Sequence, residues 1–349
     1  MNKLLRILLP AAVLLTAAGC AKETTQSTGE KSREYIRQWI ERNYPGLESD
    51  QWGVYILEDQ EGTGDLWDKE KTYSNIASTV RTIDGKVSTN TIEQMAKQLG
   101  TYAWGNYYGP VYYSTGQGSG YAGVEYLLTG MKIGGTRTAL IPSWLVTADR
   151  YDSMQQYINA CGSSVHLLYT VTLEGQCKDI LQMEKDSLRA YVTRHYGADQ
   201  KSSHFQADMT DSLFYFVSDT TAFKGWDQRD DNATLKLNYT GRLLNGQVFD
   251  TNVKQSALDA GIYSPSKTYE PVEVVMSSAY SSITMGGSSS LITGFQGALY
   301  KMHWAGQKAT ALFVSNLGYA ASGGQDAAGT SYVIPPYSPL LFELELLEE

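Results

Sequence analysis

The C-terminal third of the chain contains the stretch that decides the fold. It begins LKLNYTGRLLNGQVFDTN at Leu235, continues LITGFQGALYKMHWAGQKATALFVSNLGYA at Leu291, and ends VIPPYSPLLFELELLEE at Val333. Alternating apolar and polar residues predict a strand over residues 235–239. The dipeptide Asn245–Gly246 then predicts a tight hairpin turn into a second strand.

A short amphipathic helix follows in the same stretch. Phe295, Leu299 and Met302 have the i, i+4, i+7 spacing that places side chains on one helical face. We expect this face to lie on the concave side of an antiparallel sheet that includes a final strand over residues 341–346. Such a stripe is more often core packing than a pocket, so by itself it predicts only a core.

The chain also contains an internal repeat. A constant offset of 171 residues relates Gly294 to Gly123 and Met302 to Met131, without a gap. Both copies continue into an apolar run and end on a strand of alternating pattern. Self-similarity of this kind predicts two related units in tandem, with a border near Gln176.

Each unit is preceded by a helix and a strand. We expect Ser32 to cap a first helix over residues 33–42, followed by a strand over residues 52–57. The corresponding elements of the second unit are a helix over residues 180–195 and a strand over residues 213–217. At 349 residues the chain has room for about two domains.

The motifs of the second unit resemble those of the FKBP-type peptidyl-prolyl cis-trans isomerases. The resemblance covers about residues 233–347. It includes YTG-x-L-x-x-G-x-x-FD from Tyr239 to Asp250, G-x-x-x-x-L-x-x-M from Gly294, and the Ile334-Pro335-Pro336 loop before the last strand. The resemblance implies an α+β fold, in which a highly curved antiparallel sheet wraps around one short helix.

Together with the repeat, the resemblance implies two tandem FKBP-like domains, each with an N-terminal helix. We expect a degenerate domain over residues 33–176 and an isomerase domain over residues 177–349. The implied activity is peptidyl-prolyl cis-trans isomerisation without a cofactor or metal, on proline-containing segments of proteins. The alternative is an FKBP-like module or chaperone that binds peptides without catalysis.

The resemblance also implies which side chains form the substrate cup. Four are expected to act in catalysis: Tyr239, Asp250, Ile292 and Tyr319. Five are expected to bind the substrate: Phe249, Leu291, Phe295, Ile334 and Phe342. Phe295 would form the floor under the proline ring. The Ile292 N–H and the Tyr319 hydroxyl would hold the carbonyl groups that flank it.

Several residues depart from the family pattern. Phe295 stands where the family more often has tryptophan, and Ala320 stands where it has glycine. About 40 residues separate Asp250 from Leu291, which is a longer connection than usual. In the first unit Ser88–Thr89 replaces the Phe-Asp pair, and Ala148 falls at the position equivalent to Tyr319. We therefore expect the first unit to lack isomerase activity.

The N-terminus has the pattern of an export signal. A basic start and an apolar run too short to span a bilayer lead to LTAAGC, which looks like a bacterial lipobox. It predicts a signal peptide over residues 1–19, a lipid on Cys20, and a flexible tether over residues 20–32. The protein is thus expected in the cell envelope, held on a bacterial membrane and acting on exported proteins. A secretory signal without lipid is the alternative.

Charge, histidines and cysteines bear on nucleic-acid binding, metal binding and disulfide formation. A formal net charge of −9 argues against binding to nucleic acid. The four histidines are scattered without ligand spacing, so no metal site is expected. Cys161 and Cys177 flank a strand, and we favour free thiols, with a disulfide left open.

One further stretch remains. Gly118 to Gly123 fits G-x-G-x-x-G but lacks the acidic residue of a dinucleotide site, so we interpret it as a loop. The run YAWGNYYGPVYY, from Tyr102 to Tyr113, leaves a glycan-binding or partner-binding surface as a third hypothesis for function.

Overall fold

Two α+β units follow one another along the chain. The computed structural model describes residues 26–198, 214–218, 233–303 and 305–347. Each unit has its own antiparallel sheet and its own apolar core. The predicted fold class, two tandem FKBP-like domains that each begin with a helix, is confirmed.

The first unit is built on a six-stranded sheet in the order β1-β5-β6-β2-β3, with β4 paired to β2. Its elements are α1 (Thr28–Asn43), β1 (Tyr55–Gln60), β2 (Tyr73–Thr82), β3 (Val87–Asn90), α2 (Glu93–Gln98), β4 (Val111–Ser114), α3 (Ala122–Leu128), β5 (Thr136–Ile141), a 3-10 turn (Ser143–Leu145), α4 (Met154–Ala160) and β6 (Leu167–Cys177).

The second unit is built on a seven-stranded sheet in the order β11-β10-β8-β15-β12-β7, with β9 paired to β8. Its elements are α5 (Ile180–Tyr196), β7 (Phe214–Ser218), β8 (Thr234–Leu243), β9 (Val248–Thr251), α6 (Lys254–Asp259), β10 (Val272–Val275), a 3-10 turn (Tyr280–Ser282), β11 (Thr284–Met285), α7 (Thr293–Tyr300), β12 (Lys308–Phe313), a 3-10 turn (Ser315–Leu317), β13 (Gly324–Gln325), β14 (Tyr332–Ile334) and β15 (Leu340–Leu347). Strands β13 and β14 form a separate two-stranded hairpin.

The short helix of each unit lies very close to its sheet. A Cβ added to Gly294, in α7, would stand 2.4 Å from the ring of Phe313 in β12. A Cβ added to Gly123, the repeat counterpart in α3, would stand 2.2 Å from Ile141 in β5. Neither distance leaves room for a methyl group, so glycine at both positions permits the approach of helix to sheet. Phe295, Leu299 and Met302 are all buried, as their spacing predicts.

The first helix begins earlier than predicted. Ser27, and not Ser32, is the N-cap, and its side chain accepts a hydrogen bond from the Glu30 N–H at 3.2 Å. Ser32 is 4% exposed inside α1. Residues 28–32, predicted as tether, are therefore helical. The cause is tertiary: a Cβ on Gly29 would stand 2.0 Å from the Ile158 carbonyl oxygen, so α1 packs directly on α4.

Other predictions fall partly or wholly outside the described residues. Residues 1–25, including Cys20, lie outside them, so the signal peptide and the lipid stay predictions. Within the described part of the chain, no helix is both long and apolar enough to cross a membrane. Cys161 and Cys177 are both free thiols. The first strand starts at Tyr55 rather than at Trp52.

Candidate functional site

A cluster of aromatic rings lies between α7 and the sheet of the second unit, where the apolar cup is predicted. The Phe295 ring meets the Phe342 ring edge-on at 4.9 Å between centroids, and it meets the Tyr239 ring edge-on at 5.8 Å. Phe249 packs edge-on against Phe342 at 5.5 Å. Phe295 and Phe342 are almost fully buried, whereas Tyr239 and Phe249 are half-buried. The cluster thus combines two buried rings with two half-buried rings, which is compatible with the predicted floor and wall of a cup.

A glycine makes this arrangement of rings possible. Gly241 in β8 lies opposite Phe342 in β15 and opposite Asp250 in β9. A Cβ at Gly241 would stand 2.5 Å from the Phe249 ring and 2.9 Å from the Phe342 ring. The glycine of the YTG motif therefore provides the space in which the two phenylalanine rings meet.

One edge of the cup is polar. The Tyr239 hydroxyl donates a hydrogen bond to Asp250 Oδ2 at 2.9 Å, and Lys267 forms an ion pair with Asp250 Oδ1. Burial, and then the Asp250 charge, raise the pKa of Tyr239. The pKa of Tyr319 is raised by burial and also by Asp250. Both phenols therefore stay protonated at neutral pH and remain able to donate a hydrogen bond.

A backbone donor lies at the start of α7, close in the chain to Phe295. Ile292 is the N-cap residue of α7, with an extended backbone at φ −64° and ψ 142°. Its carbonyl accepts from the Gln296 N–H at 3.0 Å. Among the residues that the structure describes, no protein acceptor receives the Ile292 N–H. The first N–H groups of a helix have no partner inside the helix, so this one is available to a bound carbonyl group.

The segment that carries Tyr319 is held by hydrogen bonds to a buried carboxylate in α5. Glu184 in α5 is 1% exposed and accepts from the Ser315 N–H at 2.6 Å and from the Ser315 hydroxyl at 2.7 Å. The Ser315 carbonyl in turn accepts from the Ala320 N–H at 2.9 Å. Burial raises the pKa of Glu184 to about 7, although the bonds to Ser315 act in the opposite direction. Tyr319 itself is 39% exposed.

The segment also contains backbone strain. Ala320 has φ +47°, in the left-handed region that favours glycine. This is the position where the sequence departs from the family glycine. The Ala320 carbonyl accepts from the Tyr337 N–H at 2.8 Å, which holds the strained residue in place.

All nine predicted site residues belong to the second unit, and the structure relates them to a single core. Phe295, Ile334 and Phe342 are members of this core, and Tyr239, Phe249, Leu291 and Ile292 pack against it. Asp250 and Tyr319 join through the polar edge described above. Their catalytic and binding roles remain predictions.

Two residues of the site were missed from sequence. Lys267 lies in the long insertion, where no motif marks it, and only its pairing with Asp250 reveals it. Glu184 lies in a helix whose pattern indicated packing alone. Its signal was an acid in line with the buried face of that helix, which also contains Leu188 and Val192.

The first unit lacks a comparable donor. Tyr121 occupies the repeat position of Ile292, and its N–H donates to the Tyr113 hydroxyl. Ser88 and Thr89 stand in place of Phe249 and Asp250. No group of three or more His, Cys, Asp or Glu side chains that could hold a metal occurs in either unit, as far as the chain is described.

Three of the similar solved structures come from two bacteria and from wheat. A peptidyl-prolyl cis-trans isomerase from Pseudomonas syringae pv. tomato is 22% identical, with 48% of this chain and 92% of that chain covered and a TM-score of 0.29. The three FKBP domains of wheat FKBP73 are 15% identical, with 85% and 94% covered and a TM-score of 0.29. FkpA from Escherichia coli is 23% identical, with 49% and 61% covered and a TM-score of 0.29.

The sequence comparisons complete the assignment. No curated protein matches the chain. Residues 225–347 match the family model described as FKBP-type peptidyl-prolyl cis-trans isomerase. This range contains the nine predicted site residues and nearly all of the second sheet. The second unit, over residues 225–347, thus matches the family of FKBP-type peptidyl-prolyl cis-trans isomerases.

Proposed function

We propose that the second unit catalyses cis-trans isomerisation of prolyl peptide bonds in exported proteins. The observation that supports this most is the unpartnered Ile292 N–H next to the Phe295 floor. An apolar floor accommodates a proline ring, and the N–H fixes a neighbouring carbonyl group. Tyr319 supplies a second donor to the carbonyl on the other side.

The cup would lower the barrier by differential binding. Rotation about the peptide bond costs ~18–20 kcal/mol because amide resonance is lost in the twisted state. A twisted amide is less polar than a planar one, so an apolar cup penalises the planar ground state more. Such a site stabilises the transition state relative to the ground state without a nucleophile or a proton transfer.

Asp250 has a supporting role in this proposal. Its carboxylate accepts the Tyr239 hydroxyl and pairs with Lys267, so it orients two side chains at the edge of the cup. An edge of this kind attracts the polar backbone on either side of the proline while the ring enters the apolar floor. Asp250 and Tyr319 are therefore expected to contribute to turnover more than to stability.

A protease-coupled assay on a proline-containing tetrapeptide tests the activity. The chain should accelerate the cis-to-trans phase in proportion to its concentration. Tyr319→Phe should slow it, while the far-UV circular dichroism spectrum stays unchanged. If the wild-type chain gives no acceleration, the catalytic proposal is wrong.

The alternative is a non-catalytic peptide-binding module or chaperone. The specific observations that favour it are the smaller Phe295 floor and the strained Ala320 beside Tyr319. Saturable binding of the same peptide without acceleration would support this alternative and exclude catalysis. Suppression of aggregation of an unfolded client would extend it to a chaperone role.

The proposed location rests on the sequence of residues 1–25. A lipid on Cys20 would hold the protein at a bacterial membrane, facing the periplasm or the cell surface, because several acyl chains give durable anchoring. Metabolic labelling with a palmitate analogue tests this: the wild-type chain should be labelled and Cys20→Ala should not. Label on both, or on neither, would contradict the proposal.

A further inference from the structure

A loop of the first unit contacts the second unit at two places, each close in the chain to a residue of the predicted site. We call residues 102–110, between α2 and β4, the bridging loop. The Tyr107 ring packs against the core of the second unit, and the Tyr107 N–H donates to the Tyr332 carbonyl of β14. This antiparallel bridge joins the first unit to the β13–β14 hairpin.

The tip of that hairpin is organised around one carboxylate. Asp326 Oδ1 accepts from the Thr330 N–H at 3.0 Å, and the Asp326 N–H donates to the Ser331 carbonyl at 2.9 Å. The bridging loop adds to this: Asn106 is 8% exposed and its Nδ2 donates to Asp326 Oδ2 at 3.0 Å. In addition, the Asn90 N–H of β3 donates to the Thr330 carbonyl at 2.9 Å.

The second contact is on the turn between β8 and β9 and on the insertion between β9 and β10. The Gly105 carbonyl accepts from Gln247 Nε2 at 3.2 Å. Trp104 lies directly over Gly261, where a Cβ would stand 2.8 Å from the indole. Gly261 follows α6 and precedes the segment that ends at Lys267. The bridging loop thus contacts two connections of the second unit, the β13–β14 hairpin and the insertion between β9 and β10.

Each of these two connections carries a residue of the site. Ile334 ends β14, and Lys267, which pairs with Asp250, lies in the insertion. We infer that the bridging loop is a positioning element for the cup, so that the first unit sets the rim geometry of an isomerase site that it does not itself contain. This inference rests on the proposed function of the second unit.

The physical basis is the entropy of rim loops. A hairpin of two short strands is marginal on its own, because it has few partners for its backbone groups. Fixing it from a separate core reduces the freedom that substrate binding would otherwise remove. Small displacements of site groups have large effects on rate, so the fixation matters for turnover.

A charge-swapped pair tests the inference on the full chain. In Asn106→Asp a carboxylate faces Asp326, which separates the loop from the hairpin. In the double variant Asn106→Asp with Asp326→Asn, the new amide keeps its oxygen on the Thr330 N–H and donates from nitrogen to residue 106. Asn159→Asp, an exposed change on α4, is the matched control.

Two readouts are needed, and the first does not depend on activity. Hydrogen–deuterium exchange of residues 326–334 should accelerate in Asn106→Asp and return to wild type in the double variant. The value of kcat/KM should fall roughly fivefold in the single variant and recover to within about twofold in the double variant. Asn159→Asp should change neither.

Three results would overturn the inference. They are unchanged exchange in Asn106→Asp, faster exchange with unchanged kcat/KM, and a loss of kcat/KM that the double variant does not restore. If the wild-type chain binds the proline peptide without accelerating its isomerisation, the proposed function fails separately. In that case peptide affinity replaces kcat/KM, and the same pattern of loss and recovery is required.

Discussion

The two cups of this protein share a backbone but differ in what their donors do. In the second unit the Ile292 N–H has no acceptor among the described residues, whereas in the first unit the equivalent Tyr121 N–H is occupied by the Tyr113 hydroxyl. Burial raises the pKa of Tyr113 to about 12, so this hydroxyl is neutral at physiological pH. The free Ile292 N–H is compatible with its proposed role of holding a substrate carbonyl group, whereas the Tyr121 N–H is satisfied within the first unit.

The floors of the two cups differ in a correlated way. Val80 of the first unit lies opposite Tyr169 and Thr89, as Gly241 of the second unit lies opposite Phe342 and Asp250. Where the second unit combines glycine with the large Phe249, the first combines valine with Ser88. Val80 is a buried member of the core of the first unit, whereas Ser88 is exposed and is not part of that core.

Replacing Gly241 and Phe249 by their counterparts from the first unit should have the largest effect on stability and activity. Gly241→Val places a side chain where a Cβ already stands 2.5 Å from Phe249, so we expect a loss of roughly 1–3 kcal/mol in the free energy of unfolding and at least about tenfold in kcat/KM. The double variant Gly241→Val with Phe249→Ser should regain stability but not activity. Urea unfolding and the coupled assay measure both. Full activity in the single variant would show that the two rings do not form the cup.

The polar edge should have the next largest effect. Asp250→Ala removes the acceptor of Tyr239 and the partner of Lys267, so kcat/KM should fall about tenfold. The group is half-exposed, so the unfolding midpoint should move little. Thr89→Ala, at the matching position of the first unit, should leave kcat/KM unchanged. Equal losses in both variants would contradict the assignment of the site to the second unit alone.

Each unit has a buried side chain that accepts a hydrogen bond from the first serine of a 3-10 turn, and the pKa values of these two side chains are shifted in opposite directions. The Ser315 N–H donates to Glu184, whose burial raises its pKa to about 7. The equivalent Ser143 N–H donates to His166 Nδ1 at 3.1 Å, and burial lowers the pKa of His166 to about 4. Stability from Glu184 is full below about pH 4.5 and is lost as pH rises through 7. Stability from His166 is full above about pH 6.5 and is lost as pH falls towards 4.

Glu184→Gln separates these two contributions. The amide can accept from the Ser315 N–H and does not ionise. Between pH 5 and pH 8 the wild type should therefore lose about 1–2 kcal/mol more in the free energy of unfolding than the variant does. Urea unfolding at both pH values measures this, with the exposed Glu48→Gln as control. A pH dependence identical to that of wild type would show that Glu184 does not titrate in this range.

The smallest effect is expected at the strained residue. Ala320→Gly relieves a left-handed backbone that costs an L-residue roughly 1–2 kcal/mol, although glycine also gains freedom in the unfolded chain. We expect a rise in thermal midpoint equivalent to about 0.5–1 kcal/mol and kcat/KM at or above wild type. Ala148→Gly, at the position of the first unit that is equivalent to Tyr319, should not raise the thermal midpoint. Destabilisation by Ala320→Gly would indicate that the strain is not relieved.

The sequence was sufficient for the fold because its strongest signals are local and periodic. The constant offset between Gly123 and Gly294 revealed the repeat, and both glycines prove to be the close contacts of helix with sheet. The nine predicted cup residues were implied by the resemblance of these motifs to the FKBP-type isomerases. Residues whose role depends on a distant partner were not accessible in this way.

The errors and omissions have tertiary causes. The start of α1 was misplaced because the polar residues before Ser32 were interpreted as tether, whereas Gly29 packs against Ile158. Lys267 was missed because its partner, Asp250, is reached only through the folded insertion. The run from Tyr102 to Tyr113 suggested a glycan surface, but Tyr107 packs against the second unit. A glycan role for the exposed Trp104 stays untested.

The most direct measurement is a titration with a proline-containing peptide, followed through the backbone amide signals of the intact chain by nuclear magnetic resonance. We predict that the Ile292 amide shifts in a saturable manner with that of Phe295, while the Tyr121 amide does not move. A saturable shift at Tyr121, or none at Ile292, would contradict the claim that the free donor of the second cup holds the substrate.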